Sequence, residues 1–302
     1  MQKRILQAVL IASSLLAGCA TVSPNIGSQA QMGNLLLAEP APVNYRSQVA
    51  LARINQVLSQ VERNLNDVQR AQLYYERAVL YDSLGLKGLA QYDFNVALKF
   101  KPDMAEAYNY IGIHYTEEME FAQAYEAFDS TLDINPEHDF AFLNRGIALY
   151  YGGRAELAHR DLKVFYGMDS TDPYRALWAY IVEAEIDKER AVANLKLARE
   201  KLSNENWATL LVDLYLEKIN ENTLLGKLLE GVSNQQQLTD KLCEAYFYLG
   251  KYHAARDNNG IASNYFKLAL STNVYQFVEH RYARLELDLM REKAFSKSED
   301  VN

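Results

Sequence analysis

From residue 71 to residue 172 the chain repeats a pattern every 34 residues, and a chain that does this can only fold as a row of similar units. Aligning Ala71, Ala105 and Asp139 as starts puts a large residue at the fourth position (Tyr74, Tyr108, Phe142) and a small one at the eighth (Ala78, Gly112, Gly146). Bulk returns at the eleventh (Tyr81, Tyr115, Leu149), alanine falls at the twentieth (Ala90, Ala124, Ala158), and the twenty-fourth is large again (Phe94, Phe128, Leu162). Pro102 and Pro136 close the first two units, while the third has Ser170 there and Pro173 slightly later. The spacing describes two short antiparallel helices. Small residues sit where the helices come closest, because larger side chains would push them apart. Proline ends the second helix. One such unit cannot bury its apolar face alone, but a stack can.

These positions resemble the tetratricopeptide repeat (TPR), so the expected fold is all-α, a solenoid of stacked antiparallel helix pairs. Repeats are predicted at 71–104, 105–138 and 139–172. A fourth, at 243–276, carries Tyr246, Leu249, Gly250, Ala262, Phe266 and Ala269 in register, with Val274 in place of proline. Asn258, Asn259 and Gly260 suit its turn, whereas repeat two has Met119 where a turn glycine is usual. Residues 173–242 keep helical spacing (Tyr174, Leu177, Trp178, Ile181; Leu210, Leu214; Leu225, Leu228, Leu229) without the repeat pattern, and predict two divergent helix pairs. A leading helix at 44–63 and a capping helix at 277–291 complete a single domain, 44–292, before a polar tail, 293–302, expected to be disordered.

The first residues speak to compartment. Lys3 and Arg4 precede an apolar run from Ile5 to Leu16, which is the length of a signal-peptide core and short for a membrane span. It ends in Leu16-Ala17-Gly18-Cys19, which resembles a bacterial lipobox. Cleavage after residue 18 and a diacylglycerol thioether plus N-acyl chain on Cys19 would anchor the chain firmly. By resemblance to lipoprotein sorting in enteric-type bacteria, Ala20 favours the outer membrane over the inner. Residues 19–43, with Pro24, Pro40 and Pro42, predict a flexible tether. A coil of that length spans roughly 25–30 Å. With Cys19 acylated, Cys243 has no partner in the chain, and the fold stands without a disulfide.

Composition narrows the function. A net charge of -8 disfavours nucleic acid, which needs a basic face. No Cys/His cluster, HExxH, P-loop or GxSxG elbow occurs around His114, His138, His159, His253 or His280, so no metal, no cofactor beyond the Cys19 lipid and no catalytic residue is expected. The 21 tyrosines beside 2 tryptophans suit half-buried helix faces and protein interfaces. In TPR proteins positions 2, 5, 9, 12 and 13 line a concave groove. They name Tyr75, Val79, Asn109, Ile113, Leu143, Ile147, Tyr150 and Tyr151 as partner-binding candidates, with Asn144 nearby and with Asp82 and Glu117 as scattered acids. No basic residue accompanies Tyr75, Val79, Phe140 and Asn144, so a clamp for a C-terminal carboxylate is not expected.

The segments YERAVLYDSLGL (Tyr75 to Leu86), AYEAFDSTLDINP (Ala124 to Pro136), LNRGIALYYGGR (Leu143 to Arg154) and FVEHRYARLEL (Phe277 to Leu287) make the chain resemble the lipoprotein NlpI family. The likeness runs from the lipobox to about residue 290 and is weakest over 185–240. It implies a homodimeric outer-membrane adaptor that brings a periplasmic tail-specific (C-terminal processing) protease to a murein DD-endopeptidase. It also implies contact with other peptidoglycan enzymes, with consequences for cell-wall growth and division. A competing expectation is an assembly lipoprotein for outer-membrane β-barrels or pili.

Overall fold

Asn66 accepts a hydrogen bond from the Gln69 backbone at 2.9 Å, and the Gln69 side chain accepts one from the Asn66 backbone at 3.0 Å. This capping box starts helix α2 (Asp67–Ser83), after a leading helix α1 (Tyr45–Val61). The computed structural model describes residues 36–37, 39–42, 45–61 and 64–299. The predicted signal peptide, Cys19 and the final three residues lie outside these, as does most of the predicted tether. Helices α3 (Lys87–Phe100), α4 (Ala105–Glu117), α5 (Phe121–Ile134), α6 (Asp139–Tyr151) and α7 (Ala155–Met168) follow. Next come α8 (Pro173–Ala184), α9 (Lys188–Arg199), and two seven-residue helices, α10 (Thr209–Tyr215) and α11 (Glu221–Lys227). The series closes with α12 (Gln235–Ala254), α13 (Asn259–Ser271) and α14 (Val278–Glu299). Among the described residues the fold is all-α, and its helices pair as α2/α3, α4/α5, α6/α7 and α12/α13 in a TPR solenoid.

The close approach within each pair is visible atom by atom. A Cβ on Gly112 would lie 2.6 Å from Phe128, one on Gly146 2.7 Å from Leu162, and one on Gly250 2.5 Å from Phe266. The eighth position is therefore small because the twenty-fourth fills its space, and Phe94, Phe128, Leu162 and Phe266 are all fully buried.

Two regularities are sharper in the structure than in the sequence. The first is the turn. The fifteenth residue of every repeat has a left-handed backbone: Gly85 (φ 73), Met119 (φ 60), Gly153 (φ 73) and Asp257 (φ 59). The left-handed residue of repeat four is thus Asp257, not Asn258, Asn259 or Gly260. At Met119 this backbone costs ~1–2 kcal/mol, because its Cβ crowds the carbonyl.

The second joins positions seven and twenty-three. Arg77 makes a two-pronged pair with the buried Asp93 at 2.6 and 2.8 Å, and Arg145 does the same with Asp161 at 2.7 and 2.8 Å. Repeat two has Ile111 and Ala127 at these places, both buried. The ionic pair is replaced as a unit, leaving no lone charge.

Three boundaries differ from expectation. Helix α12 begins at Gln235, eight residues before the repeat pattern, because Asn234 caps it by accepting from Gln237 at 2.9 Å. Helix α14 does not stop at 291 but continues to Glu299, over residues with few apolar side chains and good helix propensity. Part of the predicted tether is docked on repeat four. Tyr246 donates to the Leu36 carbonyl, Thr239 to that of Glu39 at 3.1 Å, and the Ala41 N–H to that of Thr272 at 2.7 Å.

Two consequences are measurable by denaturant unfolding. Gly146→Leu should destabilise by about 1–3 kcal/mol through overpacking, while Gly167→Ala, which meets nothing within 4 Å, should not destabilise. Arg77→Ile should cost about 3–5 kcal/mol by stranding buried Asp93. Adding Asp93→Ala, which copies repeat two, should restore most of that loss. A double variant as unstable as the single one would refute the exchange.

Candidate functional site

The first helices α2, α4 and α6 align side by side, and the predicted groove residues lie along them. Most of these are not open. Asn144 donates to Asn109 across two repeats at 3.0 Å, and both are buried. Ile113, Leu143 and Ile147 are buried as well. Tyr75 is wedged against the rings of Phe94 and Tyr110, with half-buried Val79 in the same cluster. Buried Asn109, Ile113, Leu143, Asn144 and Ile147 hold the repeats together and are not free to meet a partner, a correction to the expected groove, while Tyr75 and Val79 keep part of their surface. The sequence pattern places a residue on a helix face but does not say what later chain covers that face.

The cover is α14. It passes the C-terminal ends of α2, α4 and α6 in turn. Arg281 pairs with Asp82 of α2 and, at 2.9 Å, with Glu117 of α4. His114 Nε2 lies 2.9 Å from Asp82 in the same buried cluster. Further along, Tyr151 of α6 donates to Glu286 at 2.8 Å and meets the ring of Tyr282 at 5.6 Å. Lys251 of α12 donates to Glu286 and to the Tyr150 hydroxyl at 2.8 Å. The predicted cap is therefore a strap across three repeats, and its Tyr282, Ala283, Leu285 and Leu287 are core residues.

The electrostatics fit buried, satisfied charges. Burial works against ionising Asp82, but His114 and Arg281 outweigh it, and the carboxyl is held below its ordinary range. Burial likewise opposes the Lys251 ammonium. Glu286 and Tyr150 outweigh it, and the lysine is held above its ordinary range. Arg281, Lys251 and Glu286 went unread in the sequence. One signal was available, because Lys251 is the ninth residue of repeat four and so falls on a groove position.

Beyond the strap a cavity of about 870 Å³ remains open, where α6, α12, α13 and the outer half of α14 meet. Tyr150 and Tyr151 line it, with Leu289 and Met290 from α14 and with Glu185 and Asp257 as acids. Of the nine candidates, these two tyrosines stand at an open site. Its mixture of aromatic, apolar and acidic groups is what a protein segment can dock into. Cys243 is buried, donates weakly to the Ala269 carbonyl at 3.8 Å, and burial pushes its thiol up, as for a packed rather than a reactive thiol. Among the described residues no His, Cys, Asp and Glu cluster is suited to a metal ion, and no helix is long and apolar enough to cross a membrane.

No protein-family model matches the chain. Among solved structures it is similar to YrrB, described as a TPR protein with an unusual peptide-binding site. That match has 15% identity, 78% of this chain and 97% of that one covered, and a TM-score of 0.43. It is similar to a tetratricopeptide repeat protein from Parabacteroides merdae (19% identity, 82% and 78% covered, TM-score 0.47). It is also similar to PilF of Pseudomonas aeruginosa (18% identity, 73% and 99% covered, TM-score 0.42). At these identities the likeness concerns the fold alone.

A second buried cluster gives a pH prediction. Tyr174 of α8 donates to Glu244 of α12 at 2.6 Å. Burial, then the charge of Glu279 on α14, raises the Glu244 carboxyl, with Asp240 adding and Lys241 opposing. Burial, with the charge of Asp172, also raises Glu279. The folded chain thus keeps protons that the unfolded chain releases near the ordinary carboxylate range. Their stabilisation is complete below that range and is lost as pH rises through the folded values. The melting temperature should fall from about pH 5 to about pH 8, and Glu244→Gln should flatten the fall. An unchanged slope in the variant would place the titration elsewhere.

Proposed function

We propose that the chain is an adaptor anchored in the outer membrane by lipid on Cys19 and facing the periplasm. In this reading it holds a tail-specific protease and a murein DD-endopeptidase together, so that the hydrolase is degraded, and it also scaffolds other peptidoglycan enzymes. Its action needs no catalysis of its own, since two weak contacts on one scaffold raise the local concentration of substrate near protease. The observation that carries the reading is the open cavity lined by Tyr150 and Tyr151 on a TPR fold. The family resemblance supplies the partners and the homodimer. Exposed Tyr45, Val49, Val68, Leu89 and Tyr92 on α1, α2 and α3 are apolar surface of the kind a subunit interface would cover.

The test is a pull-down from detergent-solubilised envelopes read by mass spectrometry. It compares the native chain with Met290→Glu, which charges the cavity wall and leaves the core tyrosines in place. Recovery of a tail-specific protease and a murein endopeptidase, with one of them lost in the variant, is the expected result. Recovery of β-barrel or pilus assembly components in their place would overturn it. In the same cells Cys19→Ala should move the chain from the membrane to the soluble fraction.

A further inference from the structure

A separate cavity of about 670 Å³ lies between the second helices α7 and α9, with α8 as its third wall. This is within the size range of ligand and side-chain pockets. Its floor is apolar and built from small residues. Ala176, Ala191, Ala198 and Leu195 are buried there, and no large side chain fills the gap.

The rim is different in character. Lys163 projects from α7 and Lys201 stands just beyond α9, and neither is held in an ion pair by a described residue. The Lys201 ammonium lies 5.8 Å from the centre of the Tyr166 ring. Of the two carboxylates at the cavity, Glu183 is already engaged by Arg190 at 2.7 Å and by Asn194 at 2.8 Å, which leaves Glu156. His159 also lines the cavity, and its Nδ1 is shielded without a hydrogen-bond partner. In a chain of net charge -8, this is an apolar hollow edged by two lysines against one free carboxylate.

The cavity at Tyr150 and Tyr151 is more acidic, with Glu185 and Asp257 on its wall beside Lys293. A shallower hollow of about 410 Å³ adjoins both. It shares Gly153, Ala155 and Glu185 with that cavity and Glu156 with the second-helix one. Occupants of the two would sit next to each other around the α6–α7 turn.

We propose that the second-helix cavity is a separate docking site for an acidic segment of a partner protein, one that presents an apolar side chain flanked by carboxylates. The apolar side chain would seat on the alanine floor, and the carboxylates would face Lys163 and Lys201. Charge complementarity at a rim of this kind selects partners and speeds encounter. The site does not depend on which partners the adaptor reading names.

Two labelled synthetic peptides of equal length test it by fluorescence anisotropy against the full chain. Each carries a central Phe-Leu anchor, flanked in one by glutamates and in the other by lysines. The acidic peptide should bind. Lys163→Glu with Lys201→Glu should weaken it at least about tenfold, with Lys99→Glu, an exposed reversal outside the cavity, leaving it nearly unchanged. Ala179→Trp, which fills the cavity without altering charge, should block binding while its thermal melt shows a folded chain. The proposal falls if the acidic peptide does not bind, if the lysine peptide binds equally well, or if the charge reversal has no effect. It also falls if sedimentation shows that the reversal abolishes self-association, because the cavity would then belong to a second copy. Loss of partners in the Met290→Glu pull-down is a separate result and does not decide this one.

Discussion

How near the two helices of a repeat can approach governs the rest of the structure. Gly112, Gly146 and Gly250 offer no side chain, and the ring of Phe128, the branch of Leu162 and the ring of Phe266 occupy the space a Cβ would need. Interiors are close-packed, so this contact fixes both the spacing of the pair and its angle. The left-handed residue at position fifteen then turns the chain in the same place each time, even where Met119 makes that backbone costly. With spacing and turn repeated, each first helix lies beside the next, and one face of the solenoid becomes a row of helix ends.

Helix α14 uses that row. Its Arg281 reaches the last turns of α2 and α4, and its Tyr282 and Glu286 reach the last turn of α6. Charges buried this deeply add little net stability, because desolvation offsets their attraction. They do fix register, since any slip of α14 would part Arg281 from Asp82 and Glu286 from Lys251 in a dry environment. The strap also decides where binding can occur. It seats on Tyr151, and the cavity lined by Tyr150 and Tyr151 opens beside its outer half. A TPR stack with only nearest-neighbour contacts would present the whole row.

What was legible in the sequence follows from distance along the chain. Gly112 and Phe128 are sixteen residues apart, and helix geometry ties their positions together, so a spacing rule finds them. Arg77 and Asp93 obey the same separation, but they reveal themselves only beside Ile111 and Ala127, where both partners change at once. Asp82 and Arg281 lie 199 residues apart, and no periodicity links them. For that reason α14 reads as a cap. The misplaced turn of repeat four has another cause. Asn258, Asn259 and Gly260 are stronger turn formers than Asp257, but the repeat register, not residue preference, sets where the left-handed residue falls.

The strap also bears on the order in which the molecule can be made. A chain synthesised from its N-terminus forms α2, α4 and α6 long before α14 exists. Until the final helix arrives, Asp82 and Glu117 lack their arginine, and Tyr151 lacks its carboxylate. The last 22-residue helix therefore acts as an end-of-message check. A chain cut short by a premature stop or by an exopeptidase would keep every TPR signature and still leave its first three repeats unfinished.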